Sequence, residues 1–536
     1  MKSPAGYLRP FLDGTGYLYG VGDDPRTLSE LAMARLSYEL RSIPEWWTSY
    51  KKADFKRSKM REASSKRWRL GRLDISYSDV LSVLTFLQIE YVFDELAGYA
   101  ALRDMSSGAQ ISCFDRIWEA DSLVKTAEHS VLLDSIQFLR DRSHHSWGQP
   151  PYDSLLLDPC RYSFVSGRTL TKGPIAQESP DHYIVSKRFT ALPTQISVSS
   201  EGQQANCLSY INGIDPQLPD VYATFEAILS RFVTMFEHVL TELHRTNPLP
   251  HRIKGPYRYC EWDEPDPPED SGDDEEVDQF LQEFEYWTMN RPVKLPDVPD
   301  GGYNGDLPRR VHKVSLAGRN IQVFFKIFDV HLTSGQSAIP ASDWAVEGMK
   351  NERIVVCALY VCIAENVSAN ISFRMAVTSP RGFLEGDVGA TLRTWGMEDR
   401  DPCNQHIGSV TLAAGRSIAF PNIYQHRLSS IRLTDASREG RVTIMWMYLA
   451  DPDASPTLST ARVPPQQVDW VYRALVDSLD RRLPTELVRR IADSVDSLMT
   501  EEEADAYQHE MHAEWIQFQK KNNSKYFSLP FDIWNP

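Results

Sequence analysis

Residues 407–427, IGSVTLAAGRSIAFPNIYQHR, decide the fold. Apolar and β-branched residues dominate 407–421, the mark of a strand whose side chains pack on a half-buried surface. Pro421-Asn422-Ile423-Tyr424 is a turn signal directly after the apolar run Ser417-Ile418-Ala419-Phe420. His426 follows that turn, in the next run, 425–434, where a ligand at the mouth of a barrel would stand. Working outward, 319–333, 352–364, 370–378 and 441–450 are short runs of the same kind, separated by Gly, Pro, Asn and Asp. No helix-length periodic segment intervenes, so the spacing predicts an antiparallel sandwich or jelly roll, not a parallel sheet.

The flanks read differently. Thr27-Leu28-Ser29-Glu30 fits a capping box, predicting a helix that runs to about Ser42 and stops before Pro44. Residues 79–102 are apolar and free of proline, predicting a largely buried helix. At 219–244, Val221, Phe225, Ile228, Leu229, Phe232, Phe236, Val239, Leu240 and Leu243 recur at helical steps, with Pro219 near the start where a missing amide costs little. Residues 261–300 open as EWDEPDPPEDSGDDEEVD, proline-rich and acidic, which predicts a linker or surface insert. After Pro464-Pro465, helical spacing returns at Val468, Val471, Leu475 and Leu479, then at Leu487, Ile491, Val495 and Leu498. Thr500-Glu501-Glu502-Glu503 offers a second capping box for a last, charged helix. The expected class is α+β: a mainly helical region over 1–260, the acidic insert over 261–300, a double-stranded β-helix core over 301–466 and a helical extension over 467–536.

The net charge of −16 is unevenly placed, because 261–285 carries thirteen Asp and Glu and no Lys or Arg, leaving about −3 for the rest. Residues 51–72 hold ten basic residues against two acidic ones; a solvated helix and loop is the expected reading, with phosphate or nucleic-acid binding a weaker alternative. Its aromatics, Phe55 and Trp68, are too few for a base-stacking platform. Every apolar stretch is broken by charge short of a membrane span, and Met1-Lys2-Ser3-Pro4 opens no apolar signal segment. Seven scattered cysteines without a C-x-x-C pair suggest reduced thiols in an intracellular protein, cytoplasmic or nuclear, and neither a disulfide framework nor a zinc site.

The chemistry centres on Trp344-Ala345-Val346-Glu347-Gly348 and on Tyr424-Gln425-His426-Arg427. Alternate strand residues share a face, so His-x-Asp/Glu on one strand and a later His can close a three-ligand iron site with open positions for co-substrates. Glu347 and His426, 79 residues apart, stand where two of those metal ligands would be, and Ala345 occupies the place of the third. Asp343 shares that face but lies one strand repeat away, about 6.6 Å, and would reach only across a bulge. A co-substrate carboxylate would need a cation; Arg441 is the first candidate, Arg438 the second and Lys326 the third, whereas Arg427 adjoins His426 and should point away from it. His509-Glu510-Met511-His512 has its histidines three apart, not the four of the zinc-protease helix, and His144-His145 is a lone loop pair.

Long ordered islands then carry a resemblance. They include Glu45-Trp46-Trp47, Gly167-Arg168-Thr169, Ser209-Tyr210-Ile211-Asn212, Lys326…His331-Leu332-Thr333, and Trp344…Val346-Glu347-Gly348-Met349 with Asn351-Glu352-Arg353-Ile354. Further on come Gly415-Arg416, Ala419-Phe420-Pro421-Asn422-Ile423-Tyr424-Gln425-His426-Arg427, Asp451-Pro452, and Val463-Pro464-Pro465-Gln466-Gln467…Trp470. Over nearly its whole length the chain resembles the mainly fungal domain of unknown function 4246 family, whose pattern is similar to that of Fe(II)- and 2-oxoglutarate-dependent oxygenases. The resemblance implies His where this chain has Ala345, and His-Pro where it has Asp158-Pro159 and Asp215-Pro216. The family's basic pair near the last strand is reduced to Gly440-Arg441-Val442. Fe(II) and 2-oxoglutarate would be the cofactors of an active member. Three functions follow: an oxygenase-like protein with an incomplete iron site, now a small-molecule or partner-binding module; a working oxygenase on a small molecule or protein side chain; or, more weakly, a nucleic-acid or phosphate binder through 51–72. Ala345 itself would be either a natural divergence or an introduced change.

Overall fold

The computed structural model of the chain describes residues 7–11, 22–70, 80–142, 155–174, 183–244, 246–247, 249–254, 258–259, 264–268, 274–335, 338–479 and 482–535. Twelve strands matter for the site: β1 Gln110–Ile111, β2 Trp118–Ala120, β3 Leu155–Leu157, β4 Thr194–Val198, β5 Ala205–Cys207, β6 Asn320–Leu332, β7 Ile354–Glu365, β8 Asn370–Ala376, β9 Asn404–Thr411, β10 Ser417–Pro421, β11 Tyr424–Leu428 and β12 Gly440–Ala450. The large antiparallel sheet runs β1-β2-β10-β7-β12-β6-β4-β5, with β3 also paired to β6. A smaller sheet runs β9-β8-β11, and Ala345 adds a two-bond bridge to its β11 edge. From β6 onward the chain passes repeatedly between the two sheets. β7 is central and apolar from Ile354 to Ala364, and buried up to Cys362, because both of its faces are covered there.

The two sheets face each other through aromatic rings: Phe373 on β8 meets Phe420 on β10 edge-on, centroids 4.9 Å apart. The opposite face of the large sheet packs on α5 (Pro219–Leu243), where Phe225 meets Phe325 of β6 at 5.5 Å. Alternation along β6 therefore sends Phe325, Ile327 and Asp329 toward the helices and Phe324, Lys326 and Phe328 toward the second sheet. That parity decides which of the candidate cations can enter the site.

Besides α5 and a single turn at Trp46–Ser49, the helices described before the core are α1 (Leu28–Arg41), α2 (Ala53–Ser65), α3 (Phe86–Leu102) and α4 (Thr126–Arg142). Thr27 caps α1, its hydroxyl accepting from the Glu30 amide at 3.1 Å, yet the Glu30 carboxylate does not close the box. It turns to Arg26 and to the Arg252 amide instead, a buried charge finding stronger partners. The expected helix over 79–102 begins only at Phe86, and Val80–Ser82 is strand; Thr85 and Gln88 form the complete capping box that sets the boundary. Residue 79 lies outside the described residues.

Other expectations are corrected. The run 407–421 is two strands, β9 and β10, divided at Ala413-Ala414-Gly415, where Gly415 has φ +85°. A helix, Val388–Trp395, does intervene among the strands, capped by Asp387 and ended by Gly396 in the left-handed region. The acidic insert contains α6 (Asp274–Asn290), a helix with no buried residue whose first turn carries Asp274, Glu275 and Glu276, favourable to the helix dipole. The region before it also supplies β1 to β5 of the large sheet. The C-terminal extension folds as α7 (Val468–Ser478), α8 (Thr485–Asp493) and α9 (Glu501–Lys525), with Thr500 capping α9. Among the described residues no helix is long and apolar enough to cross a membrane.

Candidate functional site

A cavity of about 1310 Å³ opens between the sheets and α9. Ala345, Glu347 and His426 line it, together with Lys326, Trp446 and Tyr448 from the large sheet and Asp158, Cys160 and His512 from outside the core. Ala345 and His426 form a doubly hydrogen-bonded pair, each amide donating to the other's carbonyl at 3.0 Å. Their side chains therefore project side by side on one face.

Glu347 is held by Asn422 in the turn between β10 and β11. The Asn422 side chain accepts from the Glu347 amide at 2.8 Å and donates to the carbonyls of Glu347 and Ile354 at 2.8 and 3.0 Å. Gly348 then takes φ +68°, and a Cβ there would lie 2.9 Å from Ile354 Cδ1 and 3.0 Å from Glu352 Cβ. Only glycine lets the chain turn back to β7 so tightly. The result brings Glu347 Oε1 to 3.3 Å from His426 Nε2, with 13% and 8% of the two side chains exposed.

His426 lies between Phe420 and Trp446, ring centroids 5.2 and 5.3 Å away. Its Nδ1 is buried without a hydrogen-bond partner. Burial, the largest single influence, raises the Glu347 carboxyl, but Lys326, His426 and Tyr448 together outweigh it and hold the group below its ordinary value. The Tyr448 hydroxyl makes no well-formed hydrogen bond, so its effect on Glu347 is one of proximity.

The three candidate cations separate. Lys326, opposite Trp446 in the β6–β12 register, stands on the cavity face and acts electrostatically on both Glu347 and Asp158. Arg441 pairs with Asp329, its Nη2 3.2 Å from each carboxylate oxygen, and that carboxylate also takes Arg140 Nε at 3.0 Å and the Thr443 hydroxyl at 2.6 Å. This cluster belongs to the other parity of β6 and β12 and borders the cavity away from Glu347. Arg438 is exposed on the turn before β12, its carbonyl accepting from Asn366. Asp343 is exposed at the cavity rim. Arg427 does point away from His426, its guanidinium 4.7 Å from the centroid of Trp344.

A second cluster escapes a reading along the sequence. His512 Nε2 of α9 lies 2.9 Å from Asp158 Oδ2, and the ligand atoms of Asp158, Cys160 and His512 all lie within 4.8 Å of one another. Among the described residues this is the one group of three or more metal-ligating side chains so close together. In sequence Asp158 showed only as a departure from a His-Pro pattern, and His512 sat in a run with the wrong zinc spacing. No periodicity links residues more than 350 positions apart.

The residues at 345, 347 and 426 do not fit an iron triad. Two donors converge, the third position ends in a methyl group, and the unpartnered His426 Nδ1 lacks the acceptor that ordinarily orients a ligating imidazole. The basic segment shows no link to the acidic stretch among the described residues: Lys56, Lys59 and Lys66 pair with Asp94, Glu62 and Glu39. Residues 71–72 and His144-His145 lie outside the described residues.

The family described as Protein of unknown function (DUF4246) matches residues 87–474, and the chain belongs to it. No curated protein matches. Among solved structures, a chain described as the selenomethionine-labelled Fe(II)/(alpha)ketoglutarate-dependent dioxygenase TqaL is similar at 7% identity, covering 64% of this chain and 87% of that one with a TM-score of 0.26. A likeness so slight carries no argument here.

Proposed function

We propose that this protein is a double-stranded β-helix of the oxygenase type whose iron site is incomplete, and that it serves as a small-molecule-binding module. The strand order supports the jelly-roll reading: β10-β7-β12-β6 on one side faces β9-β8-β11 and the Ala345 bridge on the other. The carrying observation is the pair at 345 and 426. Ala345 is hydrogen-bonded directly opposite His426, so a methyl stands where a third donor would project, and Glu347 closes on His426 instead. A closed carboxylate–imidazole pair beside Lys326 is a charge-balanced polar wall suited to orienting a bound molecule. The cavity is large enough for a drug-sized ligand and is lined by apolar and polar groups together.

Anaerobic Fe(II) titration by calorimetry on the protein and on Ala345→His, side by side, tests this. The expected result is one equivalent more of Fe(II) bound by Ala345→His than by the unaltered chain, an equivalent lost again when His426→Ala is added, because only one donor is missing. Fe(II) binding by the unaltered chain that His426→Ala abolishes would overturn the reading and restore a working Fe(II)/2-oxoglutarate oxygenase.

A further inference from the structure

Asp158 and Cys160 flank Pro159 just after β3, and His512 faces them from the middle of α9. Asp158 and His512 are buried, Cys160 is partly buried, and all three line the cavity. Their ligand atoms lie within 4.8 Å of one another, so a central ion at the usual ~2.0–2.3 Å from each requires only small side-chain adjustments. The carboxylate is already oriented by neighbours: the Cys160 amide donates to Oδ1 at 3.0 Å and the Gln508 side chain donates to Oδ2. Such outer hydrogen bonds fix the direction of a ligating carboxylate.

We propose that Asp158, Cys160 and His512 form a divalent-metal site of the zinc type, with its fourth position open to the cavity. One thiolate, one imidazole and one carboxylate make a donor set that suits Zn²⁺ and disfavours the hard, oxygen-seeking Mg²⁺ and Ca²⁺. Three protein ligands with a free position are the arrangement of sites that bind an exchangeable group, so the cavity's occupant would contribute the fourth donor, a carboxylate or a water. Charge balance is favourable. Two anionic donors neutralise the dication, and Lys326 keeps Glu347 as its counter-charge.

On binding, the Cys160 thiol proton leaves for solvent, His512 takes the tautomer with its proton on Nδ1 so that Nε2 is a free donor, and the hydrogen bond between His512 and Asp158 is replaced by a bond from each to the metal. Because the thiol must give up its proton to ligate, metal uptake weakens as pH falls. This inference is independent of the iron question, since no residue is shared with the Glu347–His426 pair.

The test is Co(II) titration of the chelator-treated 536-residue chain, read by the thiolate-to-cobalt charge-transfer absorption, with Zn(II) added last as competitor. The proposal expects one equivalent of Co(II), a thiolate band that Zn(II) abolishes, loss of the band in Cys160→Ser and its retention in Cys207→Ser, a thiol on β5 that does not line the cavity. No thiolate band in the unaltered protein, or an equal band in Cys160→Ser, would overturn it. Should Cys160→Ser lose its circular-dichroism signature, His512→Gln serves in its place. A band of unchanged strength and affinity in that variant would likewise reject the site.

Discussion

At position 345 one side chain separates a three-donor site from a two-donor one, and the consequence is electrostatic as well as geometric. Without a metal, Glu347 relies on His426 and Lys326 for its charge. Removing the imidazole in His426→Ala should cost about 2–3 kcal/mol in urea unfolding, short of the ~3–5 kcal/mol of breaking a lone buried pair, because Lys326 remains. Two carboxyls in this cavity then pull stability in opposite directions with pH. Glu347, held low, contributes stability above its unfolded value that is lost as pH falls through its folded one. Glu352 is pushed up to about 7 by burial, against the amides of Met349 and Ala191 that hydrogen-bond to it, with Glu514 adding to the rise. A raised acid binds its proton more tightly when folded, so its contribution is complete below the ordinary glutamate value and is lost as pH climbs toward 7 and beyond. Melting temperatures from pH 5 to 8 should therefore fall with pH through the Glu352 contribution, and Glu352→Gln should flatten that slope even if it lowers the whole curve. An unchanged slope in the variant would remove Glu352 from the account.

Among elements, the Asn422 turn and α9 decide where the site residues stand. Asn422→Ala deletes three hydrogen bonds that tie Glu347 and Ile354 to the β10–β11 turn, one of them buried and two partly buried. A loss of about 2–4 kcal/mol is expected, together with faster hydrogen exchange at the Glu347 amide. Thr85→Ala, by contrast, removes only a helix cap and should cost about 1 kcal/mol without disturbing the cavity. Much of this level was legible beforehand. Pro219 and the apolar spacing of α5, the cap at Thr500 and the strand runs from 320 onward all came from local preferences that the tertiary contacts did not overrule. The errors fell where a local signal had a competitor. Glu30 left its capping role for arginines, and the apolar run before Thr85 paired as strand instead of joining α3. The acidic segment, read as linker from its prolines, turned helical past Ser271-Gly272 because DEEVDQFLQEF is a run of good helix formers.

For the whole molecule, α9 is the wall that makes a pocket of the space between the sheets. Gln519 brackets Val346, its amide donating to the Val346 carbonyl and its oxygen accepting from the Val346 amide, and Asn523 donates to the Trp344 carbonyl at 3.0 Å. Phe518 packs with Val346, Met349 and Phe527 in a small core of its own. A chain ending before Glu501 should expose that cluster and the unpaired edge at 344–346. It should bind a hydrophobic dye more strongly and aggregate more readily than the chain that keeps α9.

The sequence by itself determined the strand-rich core, the principal helices and the family, and it singled out Glu347, His426 and Ala345 as neighbours. Those features rest on periodicity, capping residues and short motifs, which are local. Only the tertiary structure decided that Lys326, and neither Arg441 nor Arg438, shares the face of Glu347, because strand parity and the pairing of Arg441 with Asp329 are properties of the assembled sheet. It also decided that His512 of the last helix meets Asp158 and Cys160. That meeting depends on how a C-terminal helix docks across a cavity, and no pattern along the chain records it.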